Sequence, residues 1–392
     1  MFPAFVQAFD AATNWIQLET YIFDFHGAGA QVAEALVRAA GRGVKVQVLV
    51  DGIGSDPLPT AWQQKFAQAG VQWCVYSPLA AGYGGLGLLM PDRWRRLHRK
   101  LCVVDQRLVF CGGINVLDDF YDPNHGALKA PRFDFAVAVT GPLAVEAADA
   151  MALLWWRVQA GYSARQRHLV EAWEKFKAAG YGGRTDTSLL VAPAPGVPAG
   201  PSSRSALVLR DNLRNRSSIE RAYRKAIGRA HHEIIIANAY FLPGGKLRRA
   251  LIRAARRGVR VTLLLQGKYE YFMQYHAARP VYGALLAAGV EIHEYEASFL
   301  HAKVAVVDGH WATVGSSNLD PLSLLLAREA NVVVEDKLFA GDLRARLCEA
   351  MASHGRRMDP AAYSHRPLGQ RLQGWMAYGL MRLALLVTGQ RY

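Results

Sequence analysis

Cysteine is scarce in this chain of 392 residues. The four cysteines are Cys74, Cys102, Cys111 and Cys348, and they form neither a CxxC pair nor a metal-ligand spacing. This pattern excludes a disulfide-stapled scaffold and a cysteine-based zinc site. Cys102 and Cys111 lie in apolar strand-like segments. We therefore expect buried thiols, a reducing compartment, and neither a metal nor another cofactor.

Long hydrophobic runs are also missing, although 51% of the residues are hydrophobic. No run reaches the ~18 uninterrupted apolar residues that a membrane-spanning helix needs. The longest candidate, Trp375–Val387, is too short and contains Arg382. With 20% charged residues, the composition excludes an integral membrane bundle and a disordered chain. The first residues show no secretory signal, and the first predicted strand comes so early that a short leading segment could precede it.

Acidic residues are outnumbered by basic ones. The chain has 46 lysines and arginines against 32 aspartates and glutamates, a formal net charge of +14. A protein this basic should be attracted to an anionic partner, either a nucleic acid or a membrane surface. Charge alone does not distinguish between these two partners.

The chain contains one order of elements twice. Strand, helix, strand, helix and strand are predicted at 16–23, 31–41, 45–51, 60–70 and 72–76, and again at 233–240, 245–257, 260–265, 277–289 and 291–295. The closest internal match pairs Arg38–Gly52 with Arg253–Gly267, where an arginine-rich helix end and a glycine precede a β-branched run. A repeat this long indicates duplication of a whole α/β layer.

This repeat divides the chain into four predicted regions. We expect an N-terminal half over 1–183, a linker rich in Pro, Gly and Ser over 184–205, and a C-terminal half over 206–365. An amphipathic segment over 366–392 follows.

A short motif returns in both halves, as LHRKLCVVD at 97–105 and as LHAKVAVVD at 300–308. Each copy holds a histidine, a lysine and an aspartate at the same spacing, and the six residues are His98, Lys100, Asp105, His301, Lys303 and Asp308. Residues two apart on a strand share a face, so each histidine should point the same way as its lysine. Each aspartate stands at a turn, where a carboxylate readily caps backbone N–H groups. We expect a structural role for the aspartates first and a catalytic role second.

Each motif leads through a turn to a second short strand, which ends in small residues and an amide side chain. These segments are CGGIN at 111–115 and VGSSN at 314–318. Exposed backbone amides beside Asn115, Ser317 and Asn318 would suit an anionic oxygen.

The predicted fold is α/β, with two similar halves that each contain a mixed β-sheet flanked by α-helices. If the halves pack about a pseudo-two-fold axis, both His–Lys pairs meet at one composite active site. Two lysines can then hold the non-bridging oxygens of a phosphodiester. One imidazole can attack phosphorus to give a phosphohistidine while the other protonates the departing alkoxide, and no metal is required.

Both motifs resemble the HxKxxxxD signature of the phospholipase D superfamily. Within it, the chain is most similar to bacterial cardiolipin synthases of the short, soluble type. The supporting stretches are LETYIF at 18–23, RGVKVQVLVDGIGS at 42–55, CGGINVLDDF at 111–120, VGSSNLDPLSL at 314–324 and EANVVV at 329–334. The resemblance implies two phospholipase D-like halves and a phosphatidyltransferase that forms cardiolipin from two phosphatidylglycerol molecules. A phospholipase D-type hydrolase or a nuclease that uses the same residues is the alternative.

The same resemblance implies roles for individual residues. His98 is the expected nucleophile and His301 the expected general acid, although the two roles could be exchanged. Phosphoryl binding is expected of Lys100, Lys303, Asn115 and Asn318. Asp134 and Glu329 are the acidic residues expected to orient the two imidazoles.

Three segments bear on the choice between lipid and nucleic acid. The loop at 80–100 places an apolar tip, made of Leu88, Leu89 and Met90, and Trp94 beside a basic cluster made of Arg93, Arg95, Arg96 and Arg99. That loop suits docking onto anionic headgroups, although a solvated charge run is the alternative. The segment Gln370–Tyr392 could lie in a membrane interface or pack on the core. The aromatic GKYEYFMQYH at 267–276 could line an acyl-chain channel or stack nucleobases.

Apolar tips are not expected along the continuous basic track of a nuclease. We therefore expect the partners to be an anionic phospholipid membrane surface and phosphatidylglycerol, rather than nucleic acid. The expected location is the bacterial cytoplasm, peripheral on the inner membrane. The sequence leaves the oligomeric state open.

Overall fold

The computed structural model describes residues 1–77, 95–122, 125–165, 174, 203–211, 215–268, 272–320 and 327–387. The chain separates into two compact units. The first unit comprises residues 1–111, 115–118 and 136–202, and the second unit comprises residues 112–114, 119–135 and 203–392. The segment 119–135 therefore belongs to the second unit although it precedes the last elements of the first. Most of the predicted linker at 184–205 lies outside the described residues.

The described elements up to residue 165 are α1 (Phe2–Ala11), β1 (Trp15–Thr20), α2 (Gly27–Gly41), β2 (Lys45–Asp51), α3 (Thr60–Ala69), β3 (Gln72–Tyr76), β4 (Arg96–Leu97), β5 (Lys100–Val104), β6 (Leu108–Gly112), β7 (Tyr121–Asp122), β8 (Gly126–Ala127), β9 (Ala136–Thr140) and α4 (Pro142–Arg165). Those after residue 203 are β10 (Arg204–Arg210), α5 (Ser218–Arg229), β11 (Glu233–Asn238), α6 (Gly245–Arg256), β12 (Arg260–Gln266), α7 (Phe272–Leu286), β13 (Glu291–Tyr295), β14 (Lys303–Val307), β15 (Trp311–Gly315), β16 (Ala327–Glu335), α8 (Lys337–His354), β17 (Gly355–Arg357), α9 (Pro360–Ser364) and α10 (Leu368–Val387).

The first unit is built on a six-stranded mixed sheet in the order β3-β2-β1-β5-β6-β9. β1 pairs parallel with β2 and antiparallel with β5, and β2 pairs parallel with β3. The buried residues of α2 recur at helical spacing, among them Val32, Leu36 and Ala39, so this helix packs one apolar face against its neighbours. The result is a sheet whose central strands are almost wholly buried, as parallel strands covered by helices require.

The second unit repeats this plan. Its sheet runs in the order β10-β16-β15-β14-β11-β12-β13-β17. β11 pairs parallel with β12 and antiparallel with β14, and β12 pairs parallel with β13. The six strands from β13 to β16 therefore have the order of the first sheet, which confirms the predicted duplication of a mixed α/β layer. The core of this unit packs residues of α5, α6 and α7 on the sheet, including Tyr223, Leu251 and Leu285.

Several predicted boundaries are confirmed and others shift. β2, β3 and β13 have the predicted bounds, whereas β1 ends at Thr20 and β11 at Asn238, before the predicted ends. β1 stops because the N–H of Ile22 donates to Asn115 Oδ1 at 3.2 Å rather than continuing the ladder. α7 begins at Phe272, five residues before the predicted start.

The cysteines behave as small buried side chains. Cys74, Cys102 and Cys111 are buried and Cys348 is half-buried, and all four are free thiols. Burial raises the pKa of Cys74 to about 11. Burial also raises the pKa of Cys102 well above its ordinary value. These thiols are therefore poor nucleophiles at neutral pH.

The C-terminal helix α10 has two different faces. One face packs against α7, and Ala377 belongs to the core of the second unit. The other face is exposed and apolar, and it consists of Leu368, Leu372, Trp375, Met376 and Leu380. Each of these five side chains is 56% exposed or more. Of the two predicted alternatives for this segment, packing on the core describes one face, and the other remains available to a partner. No helix in the described part of the chain is long and apolar enough to cross a membrane.

Candidate active site

The two His–Lys pairs have the same local geometry. β5 begins at Lys100 and β14 begins at Lys303, so each histidine lies just before its strand rather than within it. The prediction that each histidine shares a strand with its lysine is therefore wrong, because the strand begins two residues after the histidine. In the second unit the reason is that the N–H of His301 donates to the carbonyl oxygen of Phe133 at 2.9 Å.

Each lysine folds back onto its own histidine. The Nζ of Lys100 donates to the carbonyl oxygen of His98 at 2.7 Å, and Lys303 makes the same bond to His301. Lys100 is 5% exposed and Lys303 is fully buried. A buried ammonium is a strong electrostatic partner for phosphate oxygens, because little water screens it.

Both motif aspartates clamp the start of a neighbouring strand. Asp105 accepts from the backbone N–H groups of Thr13, Asn14 and Trp15 at 2.8–2.9 Å. Asp308 accepts from three consecutive N–H groups, those of residues 231, 232 and 233, at 2.8–2.9 Å. Both aspartates adopt a φ of +50°, which fits a tight turn. The structural role is therefore observed in both units, and the catalytic role stays a prediction.

Burial and hydrogen bonding act in opposite directions on Asp308. Burial raises the pKa of this carboxyl, but the backbone N–H groups at 231–233 stabilise its ionised form and lower the pKa below its ordinary value. The ionised carboxylate is therefore the form that holds the turn.

His301 is held by a carboxylate from the segment 119–135. Its Nδ1 lies 2.6 Å from Asp134 Oδ2. Asp134 reaches this position because Phe133 and Leu300 form an isolated β-bridge. A Cβ added at Gly113 would lie 2.3 Å from Asp134 Oδ1, so the glycine leaves room for the carboxylate. With Nδ1–H donating to an ionised Asp134, Nε2 is the nitrogen that can exchange a proton with a substrate.

Glu329 is fully buried on β16 of the second unit. Its Oε2 accepts from Ser316 Oγ at 2.5 Å. Arg210 is its register partner on β10 and is also buried. Burial lowers the pKa of Arg210 to about 10, and the charges of Glu329 and Asp320 partly offset that effect. Sequence reasoning missed both Ser316 and Arg210, although aligning CGGIN with VGSSN would have placed Ser316 opposite Gly113.

The predicted phosphate-binding amides are buried. Asn115, Ser317 and Asn318 are 8%, 0% and 2% exposed. The N–H of Ser317 donates to Asn331 Oδ1 at 3.4 Å, so the prediction of exposed backbone amides is wrong at this position. The loop lies against β16, and a side chain of that strand satisfies this donor. Phosphate binding by the side chains of Asn115 and Asn318 stays a prediction.

The first motif contains an ion pair that the second lacks. Arg99, between His98 and Lys100, forms a buried bidentate pair with Glu19 on β1. At the corresponding positions, the second motif has Ala302 and Ala237. The first motif also packs its histidine ring against Tyr21, with ring centroids 5.0 Å apart.

Two ion pairs contradict one part of the membrane-docking prediction for the loop at 80–100. Arg99 is buried against Glu19, and Arg96 pairs with the buried Asp51 at 3.3 Å. Two of the four arginines assigned to the basic cluster are therefore engaged inside the first unit. The rest of that loop from residue 80 to residue 94, and the aromatic residues 269–271, lie outside the described residues. Within the described ranges, no group of three or more His, Cys, Asp or Glu side chains is placed to hold a metal ion.

Known proteins resemble this chain along nearly its whole length. A family described as "Cardiolipin synthase, PLD-like domain" matches residues 5–128 and 223–351, and each range contains one His–Lys motif. Cardiolipin synthase B of Shigella flexneri is 36% identical over 97% of this chain and 85% of its own length. Cardiolipin synthase A of Shigella flexneri is 29% identical over 96% of this chain and 72% of its own length.

One solved structure has the same fold over almost the entire chain. The phosphatidylserine synthase of Haemophilus influenzae Rd KW20 superposes with a TM-score of 0.66 and covers 99% of this chain and 91% of its own. Its 12% sequence identity shows the fold alone. Together with the duplicated motif, the family match and the identity to its relatives show that this chain belongs to the cardiolipin synthase family of the phospholipase D superfamily.

Proposed function

We propose that this chain is a phosphatidyltransferase that joins two phosphatidylglycerol molecules into cardiolipin and releases glycerol. The observation that carries the proposal is the duplicated geometry, in which a buried lysine binds the carbonyl of its own histidine in both units. The 36% identity to cardiolipin synthase B supports the choice of substrate and reaction.

The first half-reaction breaks the phosphodiester of one phosphatidylglycerol. An imidazole nitrogen of His98 attacks phosphorus, and the bond between phosphorus and the headgroup glycerol oxygen breaks. Protonated His301 donates its Nε2 proton to that oxygen, and glycerol leaves. The phosphatidyl group is now bound to His98 as a phosphohistidine.

The second half-reaction transfers the phosphatidyl group. The terminal hydroxyl of a second phosphatidylglycerol gives its proton to Nε2 of His301 and attacks phosphorus. The phosphorus–nitrogen bond to His98 breaks, which releases cardiolipin and restores both histidines. Both imidazoles must act on one phosphorus for this sequence of steps, and that requirement is part of the proposal.

The surrounding groups support these steps. Lys100 and Lys303 would hold the non-bridging oxygens and offset the charge that develops on them. Asn115 and Asn318 would add hydrogen bonds to the same phosphoryl group. Asp134 would stabilise the imidazolium form of His301 that the first step needs.

The membrane is the proposed source of the substrate. The exposed apolar face of α10, defined above, and the net charge of +14 would favour binding to an anionic lipid surface. We place the protein on the cytoplasmic face of the bacterial inner membrane as a peripheral protein.

Product analysis tests the reaction. The protein is incubated with phosphatidylglycerol vesicles, and the lipids and released glycerol are measured by mass spectrometry. Cardiolipin and glycerol in equal amounts support the transferase. Phosphatidic acid in place of cardiolipin would identify a hydrolase, and unchanged lipid together with cut DNA would identify a nuclease.

Variants test the residue roles. His98→Ala should abolish both turnover and a covalent phosphatidyl adduct trapped at alkaline pH on the peptide that contains residue 98. His301→Ala should lower the rate by about 10²–10⁴-fold, the usual contribution of a general acid. The exposed His310 offers a matched control, and His310→Ala should keep the original rate. Full activity in folded His98→Ala would contradict the proposed nucleophile.

A further inference from the structure

A basic groove lies between two helices of the second unit. The residues that line it are Arg224, Gly228, Lys246, Arg249, Ala250, Arg253 and Arg257. Five of the seven are cations, so the groove carries a concentrated positive charge. The duplicated architecture explains this composition.

The first unit contains the corresponding structure with an acid in it. On α2, Arg38 forms a bidentate ion pair with Asp10 of α1, with nitrogen–oxygen distances of 3.0 and 2.9 Å. Arg42 Nη1 lies 4.0 Å from the same carboxylate. Asp10 therefore supplies the anion around which both arginines of the first unit are arranged.

Backbone contacts show which residue of the second unit takes the place of Asp10. Arg42 Nη2 donates to the carbonyls of residues 9 and 12 at 2.7 and 3.4 Å. Its counterpart Arg257 donates to the carbonyls of residues 227 and 230 at 3.1 and 3.2 Å. Residue 9 thus corresponds to residue 227, and Asp10 corresponds to Gly228. The second unit has both arginines of the pair, as Arg253 and Arg257, but a glycine where the first unit has the carboxylate.

The space beside Gly228 is open. A Cβ added at this glycine would meet no described heavy atom within 4 Å. Across the described residues, Lys246, Arg249 and Arg253 have no carboxylate within ion-pair distance, whereas Arg224 pairs with Glu220 at 3.3 Å. Three cations therefore surround a position that holds an anion in the first unit.

This groove is separate from the His301–Lys303 pair of its unit. α5 ends at Arg229, just before β11 begins at Glu233, so Gly228 lies near the start of that strand. Lys303 pairs with Asn238, the last residue of β11. The groove and the His301–Lys303 pair are thus associated with opposite ends of β11.

We infer that the groove around Gly228 binds the phosphate group of an anionic ligand. Guanidinium groups match phosphate oxygens with paired hydrogen bonds, and the lysine adds a point charge. The phosphate could belong to a phospholipid headgroup or to a small soluble phosphate compound, and the chemistry of recognition is the same for both. This site is additional to the proposed catalytic function and does not depend on it.

The experiment adds a carboxylate at the position where the first unit has Asp10. Gly228→Asp places an internal anion in the groove, Gly228→Asn is its neutral isostere, and Gly341→Asp makes the same charge change at another helical glycine with open space. Binding is measured by calorimetry with inorganic phosphate, and by flotation with phosphatidylcholine vesicles that contain or lack phosphatidylglycerol. Thermal unfolding checks that each variant is folded. The double variant Arg249→Gln/Arg253→Gln tests the same groove independently, because it removes two of the lining cations.

We expect Gly228→Asp to weaken binding about tenfold relative to Gly228→Asn, since one charge-assisted pair is lost. If Gly228→Asp weakens the binding of inorganic phosphate but not that of vesicles, the ligand is a soluble phosphate compound. If it weakens the binding of phosphatidylglycerol vesicles, the ligand is a lipid headgroup. The double glutamine variant should lose the same binding. Equal binding by the Asp and Asn variants, or an equal loss in Gly341→Asp, would overturn the inference. Turnover of detergent-dispersed phosphatidylglycerol should not change, which keeps this test separate from that of the proposed function.

Discussion

The contact between His301 and Asp134 determines which imidazole nitrogen can exchange a proton with a substrate. Its atoms are 2.6 Å apart, and both side chains are largely buried. When an amide replaces a carboxylate that fixes a histidine tautomer, the position of the imidazole ring is kept. The ring proton is then on Nε2 instead of Nδ1, or the reverse, so the nitrogen that faces the substrate has the wrong protonation.

Asp134→Asn should therefore lower the rate of cardiolipin formation by about 10²–10⁴-fold without unfolding the protein. The amide has the size of the carboxylate and fits beside Gly113, so the effect should appear in kcat rather than in the melting temperature. Asp10→Asn is the matched control, because it removes an exposed ion pair with Arg38. A kcat within threefold of the original in Asp134→Asn would refute the orienting role.

The buried pair Glu19–Arg99 is a residue-scale feature that belongs to the first motif alone. Both side chains are nearly inaccessible to water. Removing one partner leaves the other charge buried, which typically costs about 3–5 kcal/mol. The second motif has alanine at both corresponding positions, so a motif without the pair can fold.

We expect Glu19→Ala and Arg99→Ala each to destabilise the protein strongly, and the double variant to lose less than the sum of the two. The physical reason is that the double variant removes both charges and leaves none unpaired. Urea unfolding of the four proteins, followed by circular dichroism, measures the coupling. Additive losses would show that the two charges do not depend on each other.

Among the elements, the turn between β14 and β15 connects the second motif to the start of β11. Asp308 holds three N–H groups there, and its pKa is lower than usual because these bonds outweigh burial. A carboxyl whose pKa falls on folding stabilises the protein above its unfolded pKa of about 4. That stabilisation is lost as the pH falls through the folded pKa.

Asp308→Asn should cost about 2 kcal/mol at neutral pH and flatten the acid limb of the stability curve. The wild-type protein should lose stability as the pH falls below about 4, and the variant should lose less over the same range. Urea midpoints between pH 3 and pH 7 provide the measurement. Asp342→Asn, at an exposed carboxylate of α8, is the control and should leave the slope unchanged. If the urea midpoints of the wild type and Asp308→Asn depend equally on pH, ionisation of Asp308 does not contribute to the pH dependence of stability.

At the scale of the whole molecule, the high positive charge and the apolar face of α10 bear on the same partner. Charge draws the protein to an anionic surface, whereas apolar side chains contribute short-range affinity once it has arrived. The face offers Leu372, Trp375 and Leu380 among its exposed residues, and the opposite face holds the helix on the core.

Leu372→Ser/Trp375→Ser should weaken binding to phosphatidylglycerol vesicles about tenfold or more, because two large apolar side chains no longer leave water on binding. Turnover of detergent-dispersed substrate should stay the same. Leu338→Ser is the matched control, since Leu338 is 77% exposed on α8. Unchanged vesicle binding in the double variant would remove α10 from the membrane interface.

The sequence by itself determined the repeated α/β plan, the bounds of β2, β3 and β13, and the positions of both His–Lys motifs. These features follow from local periods: β-branched runs, helical apolar spacing and glycines that end helices, each read within about a dozen residues. The duplication supports each of these predictions, since the same local pattern occurs in both halves of the chain.

Only the tertiary structure decided which residues surround each motif. Asp134 and His301 are 167 positions apart, and their contact depends on the placement of the segment 119–135 in the second unit. The sequence pattern placed Arg99 in a basic cluster suited to anionic headgroups, whereas its side chain is buried against Glu19. Local patterns report which face of a strand or helix is apolar, but they carry no information on which distant charge will meet it, because that pairing is set when whole elements pack.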